Sequence, residues 1–157
     1  MVPESSPLRI RRARAEDATE LTRLARHSKA SWGYPDAWLR EWESELEISA
    51  EYIRWNSVFV AESERGLVGV IGVGEGPEGP EIGHLWISAE AQGQGLGRAL
   101  VGRAIRVAVQ ERWVSLRIVS DPFAQPFYER LGAVPVGKVD APVAGTERTL
   151  PVLRLEV

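Results

Sequence analysis

Residues 92–98 read QGQGLGR, with Gly93, Gly95 and Gly97 at alternate positions. A strand-like run, EIGHLWIS at 81–88, precedes them, and a helix-like run, ALVGRAIRVAVQERW at 99–113, follows. Glycine permits φ > 0 and lets another group come close to the backbone. A loop of exposed N–H groups leading into a helix N-terminus attracts anions, because the unpaired amides and the helix dipole both favour negative charge. The stretch therefore predicts a phosphate cradle between a strand and a helix.

Two common phosphate loops do not fit. A dinucleotide turn follows G-x-G-x-x-G and belongs to the first strand–helix unit of its domain. Here Arg98 stands where the third glycine would fall, and the loop lies in mid-chain. A triphosphate loop ends in G-K-[ST], whereas Gly102 is followed by Arg103 and Ala104.

Around the loop the chain alternates short elements. LRIRRA at 8–13 is a strand, and Asp17 is placed to cap a helix over 18–28 with Leu21, Leu24 and Ala25 on one face. SWGYP at 31–35 breaks the chain. Pro35 then opens a second helix over 36–46, where Trp38, Leu39, Trp42 and Leu46 recur at helical spacing. EYIRW at 51–55 is a connector or a helical turn. Runs 57–63 and 66–75 read as a hairpin, GPEGP at 76–80 as a loop, and 81–88 as the next strand. The long helix runs to about Arg112, and VSLRIV at 114–119 is a strand. Pro122 opens a helix that Gly132 closes, and runs 134–139 and 148–157 are closing strands. This order predicts one mixed α/β (α+β) domain over 1–157 with a central sheet.

Composition narrows the function. A net charge of −3 argues against general nucleic-acid binding. No apolar run is long enough to span a membrane, and the N-terminus lacks a secretory apolar core. The absence of cysteine removes disulfides, thiolate nucleophiles and cysteine-ligated zinc, and fits a cytoplasmic protein. No metal site is expected. Lys29 and Lys138 are the only lysines.

Residues 92–97 match (Q/R)-x-x-G-x-(G/A), and a second motif lies downstream in DPFAQPFYERLGA, residues 121–133. The two together resemble the signatures of the GNAT superfamily of acyl-coenzyme-A-dependent N-acyltransferases. The second family pattern is N-x-x-A-x-x-F-Y-x-x-x-G-F. Ala124, Phe127, Tyr128 and Gly132 are in register with it, while Asp121 replaces Asn and Ala133 replaces Phe. The element order resembles the GNAT fold along the whole chain. The resemblance implies a mixed, mostly antiparallel sheet flanked by helices, with the strands at 81–88 and 114–119 splayed to form the coenzyme A cleft.

It also implies roles. The main chain at Trp86 and Ile87 would meet the pantetheine amides. Gln92 and the amides of Gly93, Gln94, Gly95, Leu96, Gly97 and Arg98 would hold the diphosphate. Asp121 stands where the family Asn contacts the cofactor, although an acid would be repelled by phosphates and suits a helix cap or the pantetheine arm better. Tyr128 is the expected general acid for the departing thiolate, with plain aromatic packing beside Phe127 as the alternative. Glu81 stands where some members carry a glutamate base, with a solvated strand-end acid as the alternative. His84 is a rival base, but strict alternation puts it opposite Glu81, beside Ile82 and Trp86. Trp32 and Tyr34 are the acceptor candidates.

The expected activity is acetyl transfer from acetyl-CoA to a small-molecule primary amine in a direct ternary complex. A protein lysine or N-terminal amine is a second acceptor class, and a non-catalytic acyl-CoA sensor is the alternative outside enzymes. A homodimer through the C-terminal strands, in particular TLPVLRLEV at 149–157, is also open to this chain.

Overall fold

A computed structural model describes residues 8–157; the N-terminal stretch read above for a secretory signal lies partly outside them. Seven strands form one sheet in the order β1-β2-β3-β4-β5-β7-β6. They are β1 Arg9–Arg12, β2 Ser57–Ser63, β3 Gly66–Gly76, β4 Gly79–Ile87, β5 Ser115–Val119, β6 Val134–Asp140 and β7 Thr149–Glu156. Neighbours are antiparallel except β4 and β5, which are parallel. The helices are α1 Ala18–Ala30, α2 Asp36–Glu41, α3 Ala50–Trp55, α4 Leu96–Gln110 and α5 Gln125–Arg130.

The sheet divides two apolar layers, and strand alternation sorts residues between them. Phe59, Ala61, Ile71 and Val73 face α4, which meets them with Leu96, Leu100, Val101, Ala104, Val107 and Ala108. Val58, Val60 and Val70 face the α1 side, against Leu21, Leu24, Ala25, Trp42 and Ile48. Burying one such side chain stabilises the fold by roughly 1.5–3 kcal/mol.

Several elements depart from the sequence reading. Asp17 holds the N-cap position of α1, but its side chain makes no bond to the helix amides; it accepts the Arg14 amide at 2.7 Å and pairs with Arg11 at 2.9 Å. The second helix stops at Glu41, and residues 42–46 continue as turns that bring both Leu46 and Ile48 into the core. EYIRW belongs to a true helix, α3, because Ser49 accepts the Tyr52 amide at 3.0 Å. The expected GPEGP loop shrinks to a tight turn, since Gly76 and Gly79 already pair across the hairpin. The long helix ends at Gln110, and α5 begins only at Gln125, after a turn over 122–124. β7 lies between β5 and β6, so TLPVLRLEV offers no free edge to a second copy; β6 is the edge strand.

The largest departure is a bulge in β4. Gly72 pairs with His84 and Val73 with Ile82, which leaves Gly83 unpaired. One extra residue reverses the alternation that follows it. Ile82, Leu85 and Ile87 therefore all face α4, while Trp86 packs on the α1 side and His84 stands against Tyr52 of α3. The expectation that His84 sits beside Ile82 is corrected by this single residue.

A charged cluster ties three segments together at the mouth of the sheet. Lys29 of α1 donates to Asp121 at 2.6 Å, and Arg148, just before β7, reaches the same carboxylate at 3.3 Å. The Tyr34 hydroxyl donates to Asp121 at 2.8 Å and accepts from Arg148 at 2.8 Å. The Asp121 side chain is 6% exposed. Burial alone would raise its pKa, but the Lys29 hydrogen bond and charge outweigh burial and hold it below the ordinary 3.8. Stability from this carboxylate is complete above the unfolded pKa and drains as pH falls through the lower folded value. Asp121→Asn strands two buried cations and is expected to cost about 3 kcal/mol at pH 7. Denaturant unfolding from pH 7 to pH 2 measures both effects; the variant should lose stability less steeply than the native chain below about pH 4.

Candidate active site

The glycines that opened the sequence reading have separate jobs. Gly93 at φ +77° and Gly95 at φ +79° are left-handed, and nothing lies within 4 Å of where either would carry a Cβ. The loop can therefore turn sharply while its outer face stays open. Gly95 is the N-cap of α4, whose first internal bond runs from the Ala99 amide to the Gly95 carbonyl. The amides of Leu96, Gly97 and Arg98 precede that bond and have no intrahelical partner. Gly97 is small for another reason: a Cβ there would fall 3.0 Å from the Phe127 ring. That closeness brings α4 and α5 together.

Beneath the loop is a cavity of about 500 Å³. Gln92, Gly93, Gly95, Leu96, Gly97 and Arg98 form one end. Leu85 and Ile87 of β4 form the floor, and Phe127, Tyr128 and Arg130 of α5 form the far wall. Ser28, Trp32 and Phe123 close the remaining side. The cavity exists because β4 and β5 share one ladder position, Glu81 opposite Arg117, and then part. The fit to a thioester carrier with a diphosphate is chemical: open amides with Arg98 at one end, Arg130 among the lining residues, and apolar side chains along much of the rest.

Tyr128 lines this cavity, 6% exposed, with its ring 5.2 Å from Phe127. Burial raises its phenol pKa above the ordinary 10.0, so it stays protonated across the physiological range. Glu81 does not line the cavity. It lies at the closed end of the β4–β5 cleft, with its carboxylate folded over Gly76. Next to it, the Tyr52 phenol covers Gly72 and Gly83, where added Cβ atoms would fall 2.5 and 2.7 Å from its oxygen. Burial, with help from the Glu81 charge, pushes Tyr52 up to about 12. His84 is pushed down to about 4 by burial, and its Nδ1 accepts the Trp86 indole N–H at 3.0 Å. A neutral imidazole with Nδ1 occupied carries its proton on Nε2 and has no lone pair left for a substrate.

The remaining residues divide between cavity and cluster. Trp86 packs in the α1 layer, 6.3 Å from Trp32, and only its main chain belongs to the cleft strand. The Ile87 carbonyl accepts from Ser28 Oγ at 3.1 Å and Gln92 Nε2 at 3.3 Å. Gln94 turns away, donating to the Glu90 carbonyl. Trp32 lines the cavity, but the Tyr34 hydroxyl is committed to Asp121 and Arg148. Asp121 also accepts the Phe123 amide at 2.9 Å, which starts the turn before α5. Sequence reasoning missed Arg130, Phe123, Lys29, Arg148 and Tyr52. The rarity of lysine was the one available signal for Lys29; the rest depend on contacts distant in sequence.

Residues 34–141 match the family model described as an acetyltransferase (GNAT) domain. The whole chain superposes on a GCN5-related N-acetyltransferase from Rhodopseudomonas palustris, at a TM-score of 0.77 and 18% identity over 100% of this chain and 99% of that one. PaiA N-acetyltransferase from Thermoplasma acidophilum, crystallised with coenzyme A, gives 0.73 and 17% over 96% and 99%. The Escherichia coli ribosomal-protein-S18-alanine N-acetyltransferase gives 0.70 and 15% over 96% and 94%. No curated protein sequence matches the chain. Among the described residues there is no acidic or histidine cluster able to hold a metal, and no helix long and apolar enough to cross a membrane. With a family model covering well over half its length and a glycine loop, split sheet and buried tyrosine in one fold, the chain belongs to the GNAT family of acetyl-CoA-dependent acetyltransferases.

Proposed function

We propose that this chain acetylates a primary amine of a small molecule, by direct transfer in a ternary complex in the cytoplasm. The carrying observation is that one cavity is lined both by the open glycine loop and by the Tyr128 phenol. Bound acetyl-CoA would supply a thioester carbonyl for the amine to attack. The amides of residues 93–98 would hold its diphosphate, with Arg98 and Arg130 adding charge. Gln92 braces the loop by bonding the Ile87 carbonyl, and the β4 main chain at Trp86 and Ile87 would meet the pantetheine arm. Asp121 drops out of the cofactor set, because Lys29, Tyr34, Arg148 and the Phe123 amide take its oxygens.

Tyr128 then serves as the acid. Attack expels a thiolate, and a phenol whose pKa lies above 10 still holds a proton to give. Glu81 is the base we assign to the ammonium proton, placed where the two cleft strands come together. His84 is set aside by its tautomer. A protein acceptor is the second reading, and the aromatic rings crowding the cavity rim, Trp32 with Phe123 at 6.0 Å, favour a small one instead. A sensor without turnover would have no use for a buried phenol aimed at the cavity.

Thiol release with acetyl-CoA and an amine panel tests activity, and calorimetry with coenzyme A tests binding. Tyr128→Phe is expected to lower kcat about 100-fold and leave the coenzyme A Kd within about twofold. Equal turnover in both proteins would remove Tyr128 from the chemistry; coenzyme A binding without turnover on any amine would favour the sensor. Gly95→Val forces a β-branched residue into left-handed backbone and is expected to weaken coenzyme A binding at least about tenfold, measured in the same titration.

A further inference from the structure

We propose that the acceptor amine also carries a carboxylate, and that Arg148 reads it. This rests on the acyl-transfer reading above and narrows its substrate class.

The cluster that holds the cleft mouth is out of charge balance. Lys29 and Arg148 are both 11% exposed at their side chains, and between them stands one carboxylate, Asp121. Lys29 has the closer claim on it, at 2.6 Å against 3.3 Å for Arg148. The further acids around the cluster, Glu41, Glu45, Asp140 and Glu147, are all exposed, and among the described residues none forms an ion pair with either cation. One buried positive charge is thus short of a partner, an arrangement proteins rarely keep without a reason.

The donors of Arg148 show where the partner would bind. Its Nη2 serves Tyr34 and Asp121. Its Nε and Nη1 have no partner among the described residues, and neither is a sealed buried atom. The group is also held still, 5.0 Å from the Trp42 ring, 5.2 Å from Tyr34 and 5.9 Å from Trp38. Both forked edges of a guanidinium include Nη2, which is already taken. The donors left are Nε and Nη1 acting singly, on a group held against aromatic faces and able to give a charge-assisted bond to an oxyanion.

Arg148 is linked to the cofactor cavity through the aromatic wall. Trp32 and Phe123 line the cofactor cavity, and both rings touch Tyr34, at 6.5 and 5.8 Å. Tyr34 in turn accepts from Arg148. A molecule lying along this wall would keep its carboxylate at Arg148 and its amine toward the cavity. The diphosphate has its own arginines, Arg98 and Arg130, and Arg148 does not line that cavity. The free anion is therefore assigned to the acceptor and not to the cofactor.

Thiol release with matched acceptors tests this: amino acids, each beside its carboxamide and its decarboxylated amine. The carboxamide has the less basic, more readily deprotonated amine, so any preference for the acid is a conservative reading. The native chain is expected to favour acids at least about tenfold in kcat/KM, as removal of a charged hydrogen-bond partner predicts. Arg148→Gln should lower that acid-to-amide ratio toward one. Arg148→Lys should keep part of it, since the charge remains while the planar group held on the aromatic faces is lost. Coenzyme A affinity, titrated in parallel, reports whether the cofactor site survives.

Equal use of acid and amide by the native chain would overturn the inference with no variant required. So would a fall in both by the same factor in Arg148→Gln, which marks a purely structural role, or a loss of coenzyme A affinity alone, which marks a cofactor contact. Release with no amine at all, despite coenzyme A binding, would instead overturn the acyl-transfer reading on which the inference stands.

Discussion

The site depends on a contact that is nearly absent. Parallel strands β4 and β5 share one ladder position, Glu81 with Arg117, and then diverge. Backbone groups that would have bonded each other across the sheet are left facing a gap, and unpaired backbone polar groups demand partners. A ligand with its own amides and carbonyls, extended like a strand, satisfies that demand. The gap is kept open from the far side, where β5 is firmly zipped to β7 along five residues and β4 to β3 along eight. Each half of the sheet is thus continuously paired, and the seam between them is where backbone groups lack strand partners.

Both halves of the seam are governed by glycine, for different reasons. Gly93 and Gly95 are demanded by φ, and Gly97 by the approach of Phe127. Gly72 and Gly83 are demanded by Tyr52, whose phenol needs a bare patch of sheet. With Gly83 unpaired, His84 is turned against Tyr52 and tied to Trp86.

These facts explain what could be read from the sequence. The seven strands, the long helix and the phosphate loop were legible because each has a local signature: period-two apolar runs, helical spacing, and glycines before a helix. Tyr128 and Phe127 were singled out through the resemblance of residues 121–133 to the second family motif. The bulge was not, since a glycine inside a strand pattern marks equally a bulge, a bend or a close approach. The early end of α2 was hidden because Trp42 and Leu46 stay buried on a turn path as they would on a helix. The ion cluster joins residues 29, 121 and 148, and no local rule connects positions so far apart.

Asp121 shows how one exchange reshapes such a site. An amide in this place could face a ligand and stay neutral at no great cost, whereas a buried carboxylate needs cations. Here it has two, and both arrive with aromatic faces: Lys29 lies 4.5 Å from the Trp42 ring and Arg148 5.0 Å. Four tryptophan rings and the Tyr34 phenol, which both donates and accepts, surround the charges. The tryptophan-rich segment around residues 32–42, read in sequence as acceptor candidates at Trp32 and Tyr34 and an apolar helix face at Trp38 and Trp42, also houses those cations. Its cost in stability is offset by a rigid rim on the cleft, with α1, the turn into α5 and the start of β7 fixed to one carboxylate. On the proposed reading, a rim fixed in that way sets the charge an acceptor meets on entry.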